Sequence, residues 1–457
     1  MSQTNDLANK PISKLLLSYF IPAFIGVFIN ALYNIVDRIF IGQVVGANAL
    51  SGVSIIFPIM LAMTAFGMLL GIGGGILVSI NLGKKAHEKA EKVLGTSFIM
   101  MMITSLVITL AGFLFKAPLL RMFGATATTI DYANEYLNII LIGTIFQLVG
   151  FALNSIIRSE GNAKIAMISM LISAGINIIL DYVLVYKLGM GVGGAAIATV
   201  FSMAVLSVWV ILHFHSSRAV VKMKVRNLKL NLAIAKEVCT VGIAPFSMQI
   251  AGALVQGIMT KKLILLGGDL AVGAMGIIVS ISTLIIMSMA AINMAGQPIF
   301  GYNYGAHRFD RVKSCLKISI IAATCIGVCS FIVVQLIPGV LVRLFNNDSP
   351  ELISMSTEGL RIALCTLPFD GFQVIAGNYY QSVGKPRIAT VITLLRQIIV
   401  LIPLVFIFPK FWGLTGVWIA MPVSDIVAVI VVLFCLRKDW HRLNKLIEGK
   451  NLMPKQI

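Results

Sequence analysis

Acidic side chains inside long apolar runs are the residues of this sequence that packing alone explains least well. Asp181 lies within the run from Ile165 to Val185, which is long enough to cross a bilayer as a helix. Asn177 precedes Asp181 by four residues, so the two side chains share one helix face. Asp37 is similarly placed in the first long apolar run. Because an ionised carboxylate at that depth is costly unless it is paired, hydrated or protonated, these acids are candidates for function.

The atoms of these side chains limit what they can hold. Carboxylate and amide oxygens are hard ligands, suited to Na⁺ and not to soft metals. Desolvation of neighbouring carboxylates also favours the protonated form, so one of them can carry H⁺. Either ion neutralises the acids and lowers the cost of burying them, which provides a switch between two conformations. The residues alone do not choose between H⁺ and Na⁺.

Each acid also has a packing interpretation. Asp37 can pair with Arg38, although adjacent residues of a helix point about 100° apart. Asp181 can be an interhelical polar contact. The cost of intramembrane acids favours function for both. Asp370 and Asp425, which lie in later apolar runs, are weaker candidates.

The composition is that of a polytopic membrane protein. The chain of 457 residues is 58% hydrophobic and 12% charged, against roughly 25% charged in soluble domains. We therefore predict an all-α membrane protein with twelve transmembrane helices. The runs that predict them cover residues 15–40, 52–80, 93–115, 133–156, 165–186, 194–215, 237–266, 272–300, 315–338, 355–380, 388–408 and 413–436.

The basic residues follow the predicted topology. With the N-terminus inside, 26 of the 36 Lys and Arg residues fall on inner segments, 7 on outer segments and 3 within spans. This asymmetry predicts that both termini are cytoplasmic. It also accounts for the net charge of +18 without a nucleic-acid partner.

The two halves of the chain repeat each other at a spacing of 222 or 223 residues. Such a repeat predicts two pseudo-symmetric six-helix bundles around a central cleft, one rocking against the other. The predicted boundaries are an N-terminal lobe at 1–216, a cytoplasmic linker at 217–236 that lies on anionic lipid, and a C-terminal lobe with a tail at 237–457. The clearest matches are Asn81-Leu82-Gly83 with Asn303-Tyr304-Gly305, and Arg121-Met122-Phe123 with Arg343-Leu344-Phe345.

The halves differ where chemistry is expected. Asp37 aligns with Thr260 and Asp181 with Leu404, so the C-terminal half lacks both acids. That half instead carries Asp370, and packing gives no reason for the asymmetry.

Several catalytic motifs are missing from the sequence. Neither a Walker A sequence nor HExxH or GxSxG occurs, so we expect no enzyme, no ATP drive by this chain alone and no cofactor. The glycine-rich stretch Gly71–Gly75 predicts close helix packing rather than a phosphate loop.

Five short motifs together resemble the multidrug and toxic compound extrusion (MATE) family, in particular its DNA-damage-inducible-type branch of bacterial pumps. The resemblance covers nearly the whole chain. The motifs are Val36–Gly42 with Gly46 and Ala49-Leu50, Asn81–Gly83, Arg158–Gly161, Gln297-Pro298 with Gly301 and Asn303–Gly305, and Gln381–Gly384.

The resemblance implies the activity and the site. It implies a secondary-active exporter of the bacterial cytoplasmic (inner) membrane that exchanges H⁺ or Na⁺ for amphipathic organic cations by alternating access, works as a monomer and contributes to antibiotic resistance. The family's coupling residues fall on Asp37, Asn177, Asp181 and Thr199. A second branch uses acids in helices 7 and 10, but helix 7 of this chain has no mid-span acid. Further residues expected to line the substrate cavity are Tyr33, Asn34, Gln147, Asn154 and Asp370.

Two other function classes stay open from the sequence. A flippase for a lipid-linked precursor is the main alternative, and it would line its cavity with basic residues. The basic residues within predicted spans are Arg38, Arg361 and Arg396. A lipid-modifying enzyme would need a nucleophile or metal motif, and the sequence contains none that we recognise.

Overall fold

The computed structural model describes residues 2–345 and 349–451, and nearly all of them are helical, with no strand among them. Three short segments are π-helical, namely Ile41–Val45, Tyr182–Lys187 and Leu395–Leu401. The α-helices are α1 Ser2–Asn9, α2 Ile12–Phe40, α3 Ala47–Gly83, α4 His87–Leu114, α5 Lys116–Met122, α6 Ile130–Ser159, α7 Ala163–Asp181, α8 Gly191–His215, α9 Leu232–Gly305, α10 Phe309–Leu336, α11 Pro338–Arg343, α12 Pro350–Ala363, α13 Leu367–Ser382, α14 Pro386–Leu394, α15 Ile402–Ile407 and α16 Pro409–Asn451.

The membrane-spanning segments agree with the predicted fold class. Within the described ranges, 11 helical stretches are long and apolar enough to cross a membrane, and α12 with α13 makes up to 12 if the pair is one span. α9 supplies two spans because Gly268, at φ 62°, breaks it. The all-α polytopic fold is thus confirmed.

The tenth predicted span is not one straight helix. It was expected as a continuous run over residues 355–380, but α12 and α13 meet there at a bend of 53°. Pro368, in the first turn of α13, has no N–H to bond the carbonyl of Leu364 and so cannot continue α12. The tenth predicted span therefore corresponds to a bent pair of helices.

The described chain divides into two compact units. Unit 1 contains the residues up to Asn9 together with Ile21–Gln249, and unit 2 contains Lys10–Phe20 together with the residues from Ile250 onward. The lobe boundaries at residues 216 and 237 stay a prediction from the sequence.

Unit 1 is built on the packing of α3, α4, α6 and α8. Side-chain hydroxyls tie these helices together through backbone carbonyls, as is common between transmembrane helices. Thr109 of α4 donates to the carbonyl of Leu141 at 2.9 Å, and Ser207 of α8 donates to that of Phe146 at 2.6 Å. α6 therefore has a fixed position between its neighbours.

The glycine-rich stretch of α3 is a close-packing surface, as the sequence predicted. A Cβ atom on Gly71 would lie 2.5 Å from the Cα of Ala152, and one on Gly73 would lie 2.3 Å from the carbonyl oxygen of Val238. A Cβ on Gly75 would meet the Ser159 hydroxyl at 2.5 Å. Each distance is too short for any side chain, so neighbouring backbones approach α3 only because these residues are glycine.

We expect Gly73→Ala to destabilise the folded protein. The added methyl group overlaps a backbone carbonyl that cannot rotate away, and overpacking of this kind costs about 1–3 kcal/mol. The thermal unfolding temperature in detergent should fall. Gly175→Ala is the matched control, because a Cβ at Gly175 meets nothing within 4 Å. Equal unfolding temperatures for the two variants would contradict the packing argument.

Unit 2 has its own buried core. Trp418 of α16 is its largest fully buried side chain, and it packs with residues from α9, α12 and α13 such as Ile278, Leu360 and Leu367. Close backbone approach recurs here, because a Cβ on Gly371 of α13 would lie 2.5 Å from the carbonyl oxygen of Ala323 on α10. This contact fixes the first turns of α13.

The segment after α8 packs on unit 1 through Glu160. This fully buried carboxylate accepts hydrogen bonds from the backbone N–H groups of Val220 and Val221 at 3.1 and 3.0 Å. The side chains of Asn162 and His213 each lie 2.6 Å from its other oxygen. Val220 and Val221 therefore pack on unit 1 while Lys222 beside them is exposed, and the expectation that the linker lies on anionic lipid stays a prediction.

We expect Glu160→Gln to loosen this segment. The amide keeps the size of the side chain but removes the charge that two backbone donors and His213 share, and an unsatisfied buried donor costs about 1–3 kcal/mol. Trypsin should then cut faster after the exposed Lys222. Glu351→Gln is the control, because Glu351 is an exposed glutamate of unit 2. An unchanged cleavage rate would argue against anchoring by Glu160.

Candidate functional site

Asn177 and Asp181 occupy the buried face of α7. Their exposed fractions are 1% and 0%. Asp181 is the last residue of α7, and the π-helix Tyr182–Lys187 follows directly. Wide turns of this kind occur mostly at functional sites. The four-residue spacing read from the sequence therefore does place both side chains on one inward face.

The polar atoms of this pair are not used by the protein's own hydrogen bonds. Among the described residues, neither oxygen of Asp181 and neither side-chain polar atom of Asn177 has a hydrogen-bond partner. Burying such groups unpaired is costly, so native proteins rarely keep them without a reason. The arrangement offers a carboxylate and an amide oxygen to a bound ion.

Asp37, Thr199 and Tyr136 complete the cluster from three other helices. Asp37 on α2 is buried and interacts electrostatically with Asp181. Tyr136 on α6 shares a hydrogen bond with Thr199 of α8 and interacts electrostatically with both acids. The structure thus brings Asp37, Asp181 and Thr199 together around the Tyr136 hydroxyl.

The two π-helices anchor the elements that carry the acids. Ile41, which begins the π-helix after α2, and Val185, in the π-helix after α7, are both fully buried. They share one apolar core with Tyr136 and with Val192 of α8. The acids on α2 and α7 are therefore held close to α6 and α8 by packing a few residues away.

Arg38 forms no ion pair with the acids of the cluster, although it interacts electrostatically with Asp37. Its guanidinium lies over the ring of Phe57, 5.0 Å from the centroid. Among the described residues, no Lys or Arg forms an ion pair with Asp37 or Asp181. The interpretation of Asp37 as the salt-bridge partner of Arg38 is therefore not supported.

Two of the expected cavity residues lie on α2 beside Asp37. Tyr33 is half-buried and interacts electrostatically with Asp37 and Asp181. Asn34 is exposed, and its amide donates to the carbonyl of Asn30 at 2.7 Å. Tyr33 thus belongs to the surroundings of the acids, and Asn34 lies on the surface of unit 1.

The two expected cavity residues of α6 have different surroundings. Gln147 donates to the Thr64 hydroxyl at 3.2 Å and lines a cavity of about 20 Å³ with Phe151, room for about one water molecule. Asn154 is buried, donates to the Ala166 carbonyl at 2.9 Å and accepts from Arg158. Its amide nitrogen thus joins α6 to α7, and the assignment of Asn154 to the substrate cavity stays a prediction.

Asp370 belongs to unit 2 and is paired there. Its carboxylate lies 4.0 Å from the guanidinium of Arg396, which in turn binds Asp425 at 2.6 Å. It is therefore part of a charge cluster rather than a free acid lining a cavity.

Tyr136 and Arg396 are the residues that sequence reasoning missed. Tyr136 stands in a predicted span, where its hydroxyl needs a partner, and that need was the available signal. Arg396 was noted as a basic residue within a span but was not matched with the two acids. The side chains that Tyr136 and Arg396 contact lie far away along the chain, so residue spacing alone does not reveal them.

The oxygen set of unit 1 fits a small hard cation. Two carboxylates, one amide oxygen and one hydroxyl are the ligands that Na⁺ accepts, and the same carboxylates accept H⁺. No group of three His, Cys, Asp or Glu residues in the described ranges has the arrangement of a transition-metal site.

Comparison with known proteins identifies the family. The sequence profile of the family described as MatE matches residues 22–183 and again 246–407. The chain belongs to the MATE family. The two matches are of equal length, and they confirm the internal repeat that the sequence motifs indicated.

Relatives of known name and structure agree with this MATE assignment. The chain is 29% identical over 435 residues to the multidrug export protein MepA of Staphylococcus haemolyticus, covering 94% of this chain and 95% of that protein. It is 28% identical over 446 residues to MepA of Staphylococcus aureus strain MSSA476, covering 96% and 97%.

A solved structure supports the branch. The MATE multidrug transporter DinF-BH, solved in complex with a bound compound, is 39% identical, superimposes with a TM-score of 0.90, and is matched over 96% of this chain and 98% of that one. An outward-facing multidrug resistance MATE transporter has the same TM-score at 26% identity, over 97% and 99%. The DNA-damage-inducible-type resemblance read from the motifs is thus confirmed.

Proposed function

We propose that this MATE protein is a secondary-active multidrug exporter that exchanges H⁺ or Na⁺ for amphipathic organic cations. The observation that carries the proposal is the buried acid pair of unit 1. Asp37 and Asp181 interact with each other, and no described Lys or Arg forms an ion pair with either, although Arg38 interacts electrostatically with Asp37. Two acids that are not held by an ion pair of the protein's own can take up an external cation.

The chemistry of the pair explains how an ion gradient can drive transport. Binding of H⁺ or Na⁺ neutralises the carboxylates and removes the cost of enclosing them in an apolar environment. The occupied and empty sites then favour different conformations, which is the requirement for alternating access. Asp37 and Asp181 bind the ion, Asn177 and Thr199 add neutral oxygens, and Tyr136 holds Thr199 in place.

The names of the relatives support the proposed class of cargo. The MepA relatives are named multidrug export proteins, and DinF-BH is named a multidrug transporter. Acids at the site favour cationic molecules, and amphipathic ones can enter from the bilayer. The distribution of Lys and Arg supports a topology with both termini inside. The family resemblance implies a functional monomer in the bacterial cytoplasmic membrane.

The flippase alternative receives less support. It needs basic side chains available for pyrophosphate. Of the three candidates, Arg38 lies over Phe57, Arg361 donates to the carbonyl of Gln335 at 3.4 Å, and Arg396 is held by acids.

Ethidium transport in inverted membrane vesicles tests the proposal. A pH gradient and a Na⁺ gradient are imposed one at a time, without ATP. We expect one of them to drive ethidium accumulation, and an ionophore that collapses that gradient to stop it. Accumulation that depends on ATP and survives the loss of both gradients would reject the proposed mechanism.

A further inference from the structure

Unit 2 contains a charge cluster that joins three different helical segments. Arg396 binds Asp425 at 2.6 Å through Nε, and its Nη2 lies 4.0 Å from Asp370. The Thr366 hydroxyl donates to the other oxygen of Asp425 at 2.8 Å. The side chains of Asp425 and Asp370 are 5% and 15% exposed, so the cluster is largely enclosed.

The backbone positions each member of the cluster. Arg396 lies in the π-helix Leu395–Leu401 between α14 and α15. Asp370 stands in the first turn of α13, directly after the bend with α12, and Thr366 is the residue that caps this turn. The π-helix and the bend are both departures from regular α-helix, and both occur where the charged groups meet.

The acid pairs of the two units differ in one respect. In each unit two acids interact electrostatically and a threonine belongs to the cluster, but Asp370 is only partly buried whereas Asp37, Asp181 and Asp425 are buried. In unit 1, an amide oxygen from Asn177 accompanies the acids, whereas in unit 2 a guanidinium from Arg396 lies between them. Unit 2 therefore already holds a cation, and this cation is covalently part of the chain.

We propose that Arg396 is a built-in counter-cation that occupies the acid pair of unit 2 and thereby confines binding of the coupling ion to unit 1. The inference rests on the proposed function, since it concerns which acids take part in ion coupling. Arg396 exerts this effect through its contacts with Asp370 and Asp425, so it is a positioning residue. The arginine pairs with both acids at once, and a free Na⁺ or H⁺ would have to displace it.

The first test is the Arg396→Gln variant in proteoliposomes. Glutamine removes the charge and supplies an amide oxygen, so unit 2 acquires the same kind of oxygen set as unit 1. The readout is the number of ions exchanged per cargo molecule. It is obtained by setting an ion gradient against a cargo gradient, with the membrane potential clamped, and finding the gradients at which net transport stops. With a tenfold ion gradient, one additional coupled ion raises the cargo gradient at which net transport stops by about tenfold. We expect this increase for Arg396→Gln and not for Arg396→Lys.

The second test uses a variant in which the whole cluster is neutral, Arg396→Gln with Asp370→Asn and Asp425→Asn. Replacing a complete buried ion cluster by neutral groups is generally tolerated, whereas removing Arg396 alone leaves both acids without their counter-charge. We expect this triple variant to keep the wild-type ion-to-cargo ratio. It decides the question even if Arg396→Gln alone fails to fold.

The outcomes separate this inference from the proposed function. Loss of ion-driven transport in the triple variant, or an unchanged ratio in a folded Arg396→Gln protein, would overturn the role of Arg396. Asp181→Asn measured in the same series tests the proposed function itself. If Asp181→Asn loses coupling while Arg396→Gln keeps the wild-type ratio, only the role of Arg396 fails.

Discussion

Asp181→Asn is expected to abolish gradient-driven efflux while leaving the protein folded in the membrane. Asparagine matches the size of the acid but cannot bind a proton or carry the charge that attracts Na⁺. The carboxylate and the bound ion form a buried charge pair, and removing one partner of such a pair costs about 2–5 kcal/mol of binding free energy, so ion affinity should fall by about one to three orders of magnitude. Because both Asp181 oxygens lack a hydrogen-bond partner among the described residues, no internal network has to rearrange.

Asp370→Asn is the matched control for Asp181→Asn. Both replace a carboxylate within a helix of a membrane-spanning region, but Arg396 keeps its bond to Asp425 when Asp370 is neutral. We expect this variant to retain most of its efflux. Both proteins should be compared at equal expression and with matching size-exclusion profiles. Wild-type efflux by Asp181→Asn together with an inactive Asp370→Asn would move the coupling site to unit 2.

The sequence was sufficient to predict the membrane-spanning segments and the candidate acids Asp37 and Asp181. Hydropathy reveals a spanning helix because the bilayer requires about 20 apolar residues in a row. An acid within such a run stands out against that background, which is why Asp37 and Asp181 were found. The helical period then placed Asn177 on the face of Asp181, and the continuous α7 keeps that relation.

The departures from regular helix were not predictable from hydropathy. The bend between α12 and α13 lies inside the run that predicted a span over residues 355–380, and Pro368 marks it. The π-helix Tyr182–Lys187 has no comparable marker, because one extra residue per turn leaves the hydropathy unchanged, whereas Pro403 stands just after the π-helix Leu395–Leu401. Each of them adjoins a buried acid or arginine of a charge cluster.

Contacts between residues that lie far apart in the sequence were the other feature that the sequence did not predict. The hydrogen bond of Tyr136 with Thr199 and the ion pair of Arg396 with Asp425 each join helices that are separate in the sequence. The repeat aligns the two halves but cannot show which side chains meet, since the paired acids occupy different positions in each. Packing decides this, and packing is a property of the folded unit.

Asp37→Asn is expected to weaken ion binding nearly as much as Asp181→Asn, because the two carboxylates share one ion. Ion binding can be followed by the rise in thermal stability that the coupling ion gives the wild-type protein, since a ligand that binds only the folded state stabilises it. This rise should be lost in Asp37→Asn. Because Asp37 lies on α2 and Asp181 on α7, equal losses from both positions would be hard to explain by a local effect on one helix.

A double-mutant cycle with Thr199 shows whether the residues act as one site. Thr199→Val removes a ligand hydroxyl and keeps the volume, so alone it should weaken ion binding by about tenfold, the value of one hydrogen bond to a charged group. In the Asp37→Asn background the ion no longer binds, and Thr199→Val should have no further effect. Groups that share a ligand are non-additive in this way, whereas distant sites add. Ser207→Ala, which removes a hydroxyl from the same helix outside the cluster, is the control, and it should leave ion binding unchanged in both backgrounds. Additive losses for Asp37→Asn and Thr199→Val would mean that α2 and α8 do not serve the same ion.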